Sequence, residues 1–434
     1  MKAQLGLLVV SMTASTFAAP LSLYDCVVKA MDQNPDLEAA AFRADAAAAA
    51  VGEARSSWYP DITLSGSYAR TDNPPQAFFM NLNQRQADLT EDFNEPEDTD
   101  NFRTSLGFRM LLADAGQRSL KIDMSKLSEA ASQDMLNAAR NELVFQVTRA
   151  YYSAGQAAAM VTVREETISS IEENLRVAQE RYAAGSALKS DVLNLEVQSA
   201  EARDAWIRAL NGFKLAIAAL NTAIGENVAD ESNLDLTVEN NLIPPLEQVD
   251  LNEADQRPEQ IGTQRQAAAA GLEFKRTRRD RFPRLVAFGS MDWDSDSLNG
   301  MEDSYIVGAA LELDLFTGFR KDAETAGAMA REAEARARAD SLRNQLRFDL
   351  QRAHLNSLEA WSRIDVAAKS LASANEVHRI TRERYEEGSA DITELMSAQT
   401  GQTASRTRDV AARFDYLIAT ADLTRARGLF SRTE

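Results

Sequence analysis

One pattern constrains this chain more than any other: its order of elements occurs twice. Arg181-Tyr182-Ala183-Ala184-Gly185-Ser186-Ala187 returns as Arg384-Tyr385-Glu386-Glu387-Gly388-Ser389-Ala390, displaced by 203 residues. Asn34-Pro35, Tyr59-Pro60 and Gly66 return as Arg257-Pro258, Phe282-Pro283 and Gly289, displaced by 223. The two displacements differ by 20, so the second copy lacks that length of the first. Repetition at this scale is far longer than a solenoid period. It marks a duplicated structural unit whose halves play equivalent roles in one assembly.

Within each copy, long stretches rich in Ala, Glu, Arg and Gln contain few glycines, a composition that favours helix. Leu143, Val147, Ala150, Ala154, Ala157 and Val161 step by four and three. After a break at Arg164 the series resumes with Ile168, Ile171, Leu175, Ala178 and Tyr182. The second half answers with Leu346, Leu350, Ala353, Ser357, Ala360, Ile364, Ala367, Leu371 and Ala374. A 3.5-residue period calls for coiled-coil packing, and alanines in the seam let helices approach closely. An unbroken helix from Ala115 to Ala183 would be a rod of roughly 100 Å at ~1.5 Å per residue. Gly185 ends it, and a second helix is expected to run from Ser190 to Ile224. The other copy repeats this with Lys321 to Glu387, a stop at Gly388, and Ile392 to Gly428.

Between the helices the period changes to two. Ile62, Leu64, Gly66 and Tyr68 alternate with Thr63, Ser65 and Ser67; Phe102, Leu106, Phe108, Met110 and Leu112 alternate with Arg103, Ser105, Gly107 and Arg109. Leu285 to Trp293 is looser, and Tyr305 to Leu315 alternates with Gly308, Glu312 and Asp314. These segments predict strands over 60–69, 102–112, 284–293 and 305–315. Pro60 and Pro283 open the rising strands, where a missing amide donor is tolerated. Arg70 to Asn101 is expected to be a long acidic loop with Glu91, Asp92, Glu95, Glu97, Asp98 and Asp100, and Asp294 to Ser304 its short counterpart.

The N-terminus reads as a secretory signal over 1–18: Lys2, the apolar run Leu5 to Val10, then Thr16-Phe17-Ala18. Cutting after Ala18 puts Ala19 first. The first repeat then covers 19–227 with its helical hairpin over 115–225. A connecting segment spans 228–250, and the second repeat covers 251–434 with its hairpin over 320–428. No later stretch approaches the roughly 18 uncharged apolar residues a membrane helix needs. With 47 basic against 66 acidic residues, the chain is a poor partner for nucleic acid. The lone Cys26 makes no internal disulfide and is expected to be a small packed residue; His354 and His378 offer little for metal or nucleophilic chemistry. No cofactor is expected, and no constellation supports an enzyme. Asp292-Trp293-Asp294-Ser295-Asp296 opens like a calcium loop, but Ser297 stands where glycine is required and Asp303 where a bidentate glutamate is required. A solvated loop is expected there.

Four strands of about ten residues cross a bilayer but do not close a barrel, for which about eight is the smallest workable number. Open edges in lipid leave amides unsatisfied at several kcal/mol each. Strands from several protomers must therefore combine: two would give a filled eight-stranded barrel, three a twelve-stranded one with room for a passage. The predicted class is a membrane β-barrel joined to a barrel of long coiled-coil helices, an oligomeric channel with a membrane end and a long soluble end. The competing reading, a periplasmic coiled-coil adaptor or scaffold without a barrel, explains the heptads but not four alternating segments at corresponding points of both halves. Arg103, Arg109, Glu312 and Asp314 are candidate barrel-lumen residues. Trp293 and Tyr68 are candidates for an interfacial aromatic girdle.

The order of elements, the segment Leu23-Tyr24-Asp25-Cys26 through Asn34-Pro35-Asp36-Leu37, and both Arg-Tyr-x-x-Gly-Ser-Ala tips resemble the TolC-type outer-membrane efflux family over about Leu21 to Leu429. The resemblance implies a homotrimer with a twelve-stranded outer-membrane barrel and a helical tunnel across the periplasm. It also implies docking with a periplasmic adaptor and an inner-membrane pump or ABC transporter, for export of small toxic compounds or proteins. Its periplasmic gate falls on Glu394 as an acidic ring and on Asp191 and Tyr385 as a link between hairpins. A second family acid aligns with Ser397. Ser190 matches half of a further latch whose basic partner position is Ala390. Adaptor docking falls on Gly185, Ser186, Ala187, Gly388, Ser389 and Ala390. Plainer roles for these residues are helix N-terminal acids favoured by the dipole and glycine C-caps.

Overall fold

In a computed structural model, residues 20–88, 94–229, 234–235 and 242–430 are described. The expected signal segment 1–18, most of 228–241 and the acids Glu91 and Asp92 lie outside the described residues. The helices are α1 (Leu23–Gln33), α2 (Pro35–Ser56), α3 (Pro74–Asn83), α4 (Gln117–Ala183), α5 (Lys189–Ile224), α6 (Pro258–Arg279), α7 (Arg320–Glu386) and α8 (Ile392–Ala426). The strands are β1 (Asp61–Thr71), β2 (Thr99–Ala113), β3 (Arg284–Ser295) and β4 (Glu302–Glu312). Duplication extends to element length. Both α4 and α7 hold 67 residues, and both α2 and α6 hold 22. The described residues divide into two units: those within 20–39, 137–257 and 345–430 form one, and those within 40–136 and 258–344 the other.

The second unit contains the sheet, an antiparallel meander in the order β1-β2-β3-β4. Register places Leu64, Leu106, Met291 and Tyr305 in one row across all four strands. Neighbouring rows on that face carry Ile62, Phe108 and Val307, all exposed. Tyr68 and Phe102 pair at one end with ring centroids 4.8 Å apart. The opposite face carries Thr63, Ser65, Ser67, Arg103, Ser105, Arg109, Asp292, Asp294 and Glu312. Period-two patterning gives β1 and β2 an apolar and a polar surface, whereas β3 and β4 also set Val286, Phe288 and Ile306 on the polar face. Nothing among the described residues pairs with the outer edges of β1 and β4.

Three local features depart from expectation. The segment expected as a loop over Arg70 to Asn101 contains α3. Asn73 caps that helix by accepting the Gln76 amide, Pro74 occupies its first turn, and Ala77 is fully buried. Arg85 just beyond it reaches Glu302 at 2.9 Å. β2 carries a bulge between Leu111 and Ala113, which interrupts the alternation at Leu112. β4 ends at Glu312, three residues before the expected limit, so Asp314 lies in the return segment and not in the strand.

The first unit buries the helical seams. Leu143, Val147, Ala154, Ile171 and Ala178 are buried on α4, and Leu346, Leu350, Ala353, Ser357, Ala360 and Ala367 on α7. The seam is not purely apolar: Asn174 is buried in place of Leu175, and Tyr182, expected to continue it, is 47% exposed. Asn34 explains the x-Pro start of the first copy. Its side chain accepts the amides of Asp36 and Leu37, capping α2 ahead of Pro35, and donates to the Ala223 carbonyl at 2.9 Å. Arg257, its counterpart in the second copy, is buried and pairs with Asp349, which also binds Arg425 at 2.9 Å. Cys26 is buried in α1, and burial pushes its thiol up to about 11, as expected of a packed residue.

Candidate functional site at the hairpin tips

The repeated tip motif is first a helix stop. Gly185 and Gly388 have left-handed φ of 74° and 82°. The Ser186 amide donates to the Arg181 carbonyl at 2.8 Å and the Gly185 amide to the Tyr182 carbonyl at 3.0 Å. At the other tip Ser389 donates to Arg384 at 2.7 Å and Gly388 to Tyr385 at 3.1 Å. This is a Schellman cap written twice, and glycine is the residue that enters this φ without a Cβ penalty. Each serine hydroxyl returns a bond to the same arginine carbonyl, and each arginine guanidinium reaches forward to the serine carbonyl. Arg-Tyr-x-x-Gly-Ser is therefore a self-clamping turn.

The two tips are not equivalent in what their arginines do. Arg384 also approaches Glu394 at 3.4 Å, within its own hairpin. Arg181 crosses to the other hairpin, lying 4.8 Å above the Tyr385 ring and donating to the Tyr385 carbonyl. Tyr385 is 3% exposed and packs among Ala178, Val192, Leu195, Ile392 and Leu395, so both hairpins share one small core. Its hydroxyl has no hydrogen-bond partner among the described residues. Burial pushes the phenol up, the Arg181 charge pulls it down, and the Asp191 charge pushes it up.

Asp191 sits in the first turn of α5, where its carboxylate accepts the Leu188 amide at 3.1 Å. Ser190 donates to the same carboxylate at 3.4 Å. The Glu394 amide is capped by Asp391 at 2.8 Å, leaving the Glu394 side chain half exposed beside Arg384. Thus Asp191 and Tyr385 come near one another without a hydrogen bond inside the chain. Ser186 and Ser389 are at the surface, and Ala187 and Ala390 are half-buried. Arg181 and Arg384 were not singled out from the sequence, although they head both copies of the motif. That repetition was the available signal.

In the sheet, Arg103 and Arg109 share the polar face with Glu312. Arg103 pairs with the fully buried Asp294 at 3.1 Å, and Asn101 donates to the same carboxylate at 2.7 Å. Asp294, an acid of the calcium-like run, is thereby committed to protein donors; the run is not the solvated loop expected, since Asp292 to Ser295 belong to β3 and pairing with β2 buries Asp294 and Ser295. Glu312 pairs with Arg284 at 2.7 Å. Asp314, outside the strand, pairs with Lys321 at 3.1 Å, and this ammonium holds its carboxyl below the usual range. No group of three or more metal-ligating side chains occurs among the described residues.

The family model described as "Outer membrane efflux protein" matches residues 26–226 and 251–429. Outer membrane protein OprJ of Pseudomonas aeruginosa is 26% identical over 310 residues, 69% of this chain and 64% of that protein, so the match spans less than two-thirds of that relative. Protein CyaE of Bordetella pertussis is 24% identical over 401 residues, 90% of this chain and 80% of that protein. The crystal structure of the outer membrane protein VceC from Vibrio cholerae superimposes with a TM-score of 0.79 at 18% identity, covering 94% of this chain and 96% of that one.

Proposed function

This chain belongs to the outer membrane efflux protein family, and from that premise we propose that three copies join their sheets into a twelve-stranded barrel continued by a tunnel of hairpins across the periplasm. The channel is a passive conduit of a tripartite system. A periplasmic adaptor docks at the tips, around Gly185, Ser186, Ala187, Gly388, Ser389 and Ala390, and an inner-membrane pump or ABC transporter supplies the cargo, small toxic compounds or proteins. The observation that carries this reading is the open sheet, apolar on one face and more polar on the other, with both edges unpaired among the described residues. An isolated edge in lipid costs several kcal/mol for each unsatisfied group, and closure with sibling chains removes that cost. Exposed apolar side chains on the hairpins, among them Leu193, Val197, Val366 and Val377, support burial against neighbouring copies.

Within that assembly the tips form the gate. Glu394 from each copy makes an acidic ring that attracts cations and repels anions. The buried Tyr385 hydroxyl, unpartnered among the described residues, takes the Asp191 carboxylate of an adjoining hairpin and holds the tips closed. Planar-bilayer recordings test this: Asp191→Ala and Tyr385→Phe should each populate a wider conducting state. Unchanged conductance in both variants removes the latch, and extraction of the protein without detergent removes the channel itself.

A further inference from the structure

The two copies differ sharply where the sheet meets the helices. Residues 275–284 of the second copy carry six bases, Lys275, Arg276, Arg278, Arg279, Arg281 and Arg284, against one acid, Asp280. The matching positions of the first copy, 52–61, carry one base, Arg55, against two acids, Glu53 and Asp61. This basic run belongs to a chain whose net charge is −19. Duplication alone would have kept the copies alike, and nothing in helix or strand formation requires the difference.

The bases gather around a groove at the end of α6, lined by Lys275, Arg278, Arg279, Arg281, Phe282 and Thr325. Four of the six are committed: Arg276 to Glu273, Arg279 to the Gly116 carbonyl, Arg281 to Asp322 at 2.6 Å, and Arg284 to Glu312 at 2.7 Å. Lys275 and Arg278 are exposed and have no acidic partner among the described residues; Arg278 only overhangs the Phe274 ring.

A second difference stands beside the first. The return from β4 to α7 reads Leu315-Phe316-Thr317-Gly318-Phe319, where the first copy reads Ala113-Asp114-Ala115-Gly116-Gln117. Phe316 and Phe319 are 75% and 72% exposed and stack edge to face at 5.5 Å. Phe319 holds a left-handed φ of 64°, a costly conformation for a bulky residue. Pairing of Arg284 with Glu312 puts this return at the same rim of the sheet as the basic run.

The geometry points to this rim as a binding surface for anionic phospholipid. The bases take the headgroup phosphate, and Phe282, Phe316 and Phe319 enter the acyl boundary of the leaflet that faces the periplasm. The inference rests on the sheet lying in the outer membrane with its helix-bearing rim toward the periplasm. Clustered Lys and Arg at a membrane edge contribute about 1 kcal/mol each toward anionic lipid, and aromatic side chains favour the interface. Charge complementarity calls for an anion, and the exposed Phe282, Phe316 and Phe319 at the same rim select a phospholipid over an acidic protein, because they offer apolar surface beside the bases.

The test uses the full-length protein in phosphatidylcholine vesicles with and without phosphatidylglycerol, reading phosphatidylglycerol retained per chain by mass spectrometry. Wild type should retain it selectively, and a Lys275→Gln, Arg278→Gln double variant should lose about fivefold in selectivity for each base removed. Phe316→Ser with Phe319→Ser should lower retention while the oligomer persists. Equal retention in wild type and the double variant overturns the proposal. So does displacement by inorganic phosphate at matched concentration, which makes the occupant a free anion. Loss of the oligomer in the phenylalanine variant also overturns it, by assigning that face to a neighbouring copy. Conductance of the double variant in phosphatidylcholine alone should match wild type, which separates failure here from failure of the channel reading.

Discussion

At the scale of single residues, the tip glycines show how one motif carries two constraints. Both occupy the left-handed region, where a Cβ costs roughly 1–2 kcal/mol. A Cβ on Gly185 meets nothing, whereas one on Gly388 comes within 3.3 Å of the Arg181 guanidinium. Gly185→Ala should therefore raise hydrogen exchange of the Ser186 amide about tenfold, the backbone penalty alone. Gly388→Ala should raise exchange at Ser389 further, because it also disturbs the Arg181 contact with Tyr385. Equal effects at the two tips would show that Arg181 does not couple the hairpins. The glycines themselves were legible from repetition and from the end of the helical pattern. The crossing of Arg181 was not, since two motifs sharing Arg-Tyr-x-x-Gly-Ser-Ala give no hint that one arginine stays home and the other leaves.

Among elements, α7 carries a group that responds to acid. His378 is buried, and burial pulls its pKa below the ordinary 6.5; a hydrogen bond with Gln399 opposes this, and the charges of Arg382 and Arg406 add to the lowering. Its Nε2 has no partner among the described residues. Below 6.5 the unfolded chain binds the proton more readily than the folded one, so stability falls as pH drops from 6.5 toward the lowered value. His378→Leu should flatten that slope in hydrogen-exchange protection of α7, and an unchanged slope would assign the acid response elsewhere. Element types were readable because periods of two and 3.5 arise from backbone geometry, but α3 was missed. Its signal, Asn73-Pro74 ahead of Ala77, is short, and tertiary burial of one face decides whether ten residues stay helical. The bulge in β2 likewise answers to the strand beside it.

For the whole molecule, the deciding quantity is the pair of open edges. Detergent-solubilised protein should have a mass of three chains. Cysteines placed along β1 of one copy and β4 of another should cross-link within the assembly in a ladder with two-residue spacing, as one face of antiparallel strands requires. A detergent-stable single copy would leave both edges without partners and sink the closed barrel. Assembly also bears on the exposed apolar residues of α5 and α7, among them Leu193, Val197, Val366 and Val377.

Duplication, helical seams, alternating strands and the glycine stops were determined by sequence alone, because each depends on residues close along the chain and on backbone periodicity. Tertiary structure decided what depends on distant partners. It withdrew Asp314 from the strand and gave it Lys321, committed Asp294 to Arg103 and Asn101, and buried Tyr385 beneath Arg181 with its hydroxyl unpaired among the described residues. A charged or hydroxyl side chain takes the partner that folding brings within about 3 Å, and local sequence does not encode which one arrives.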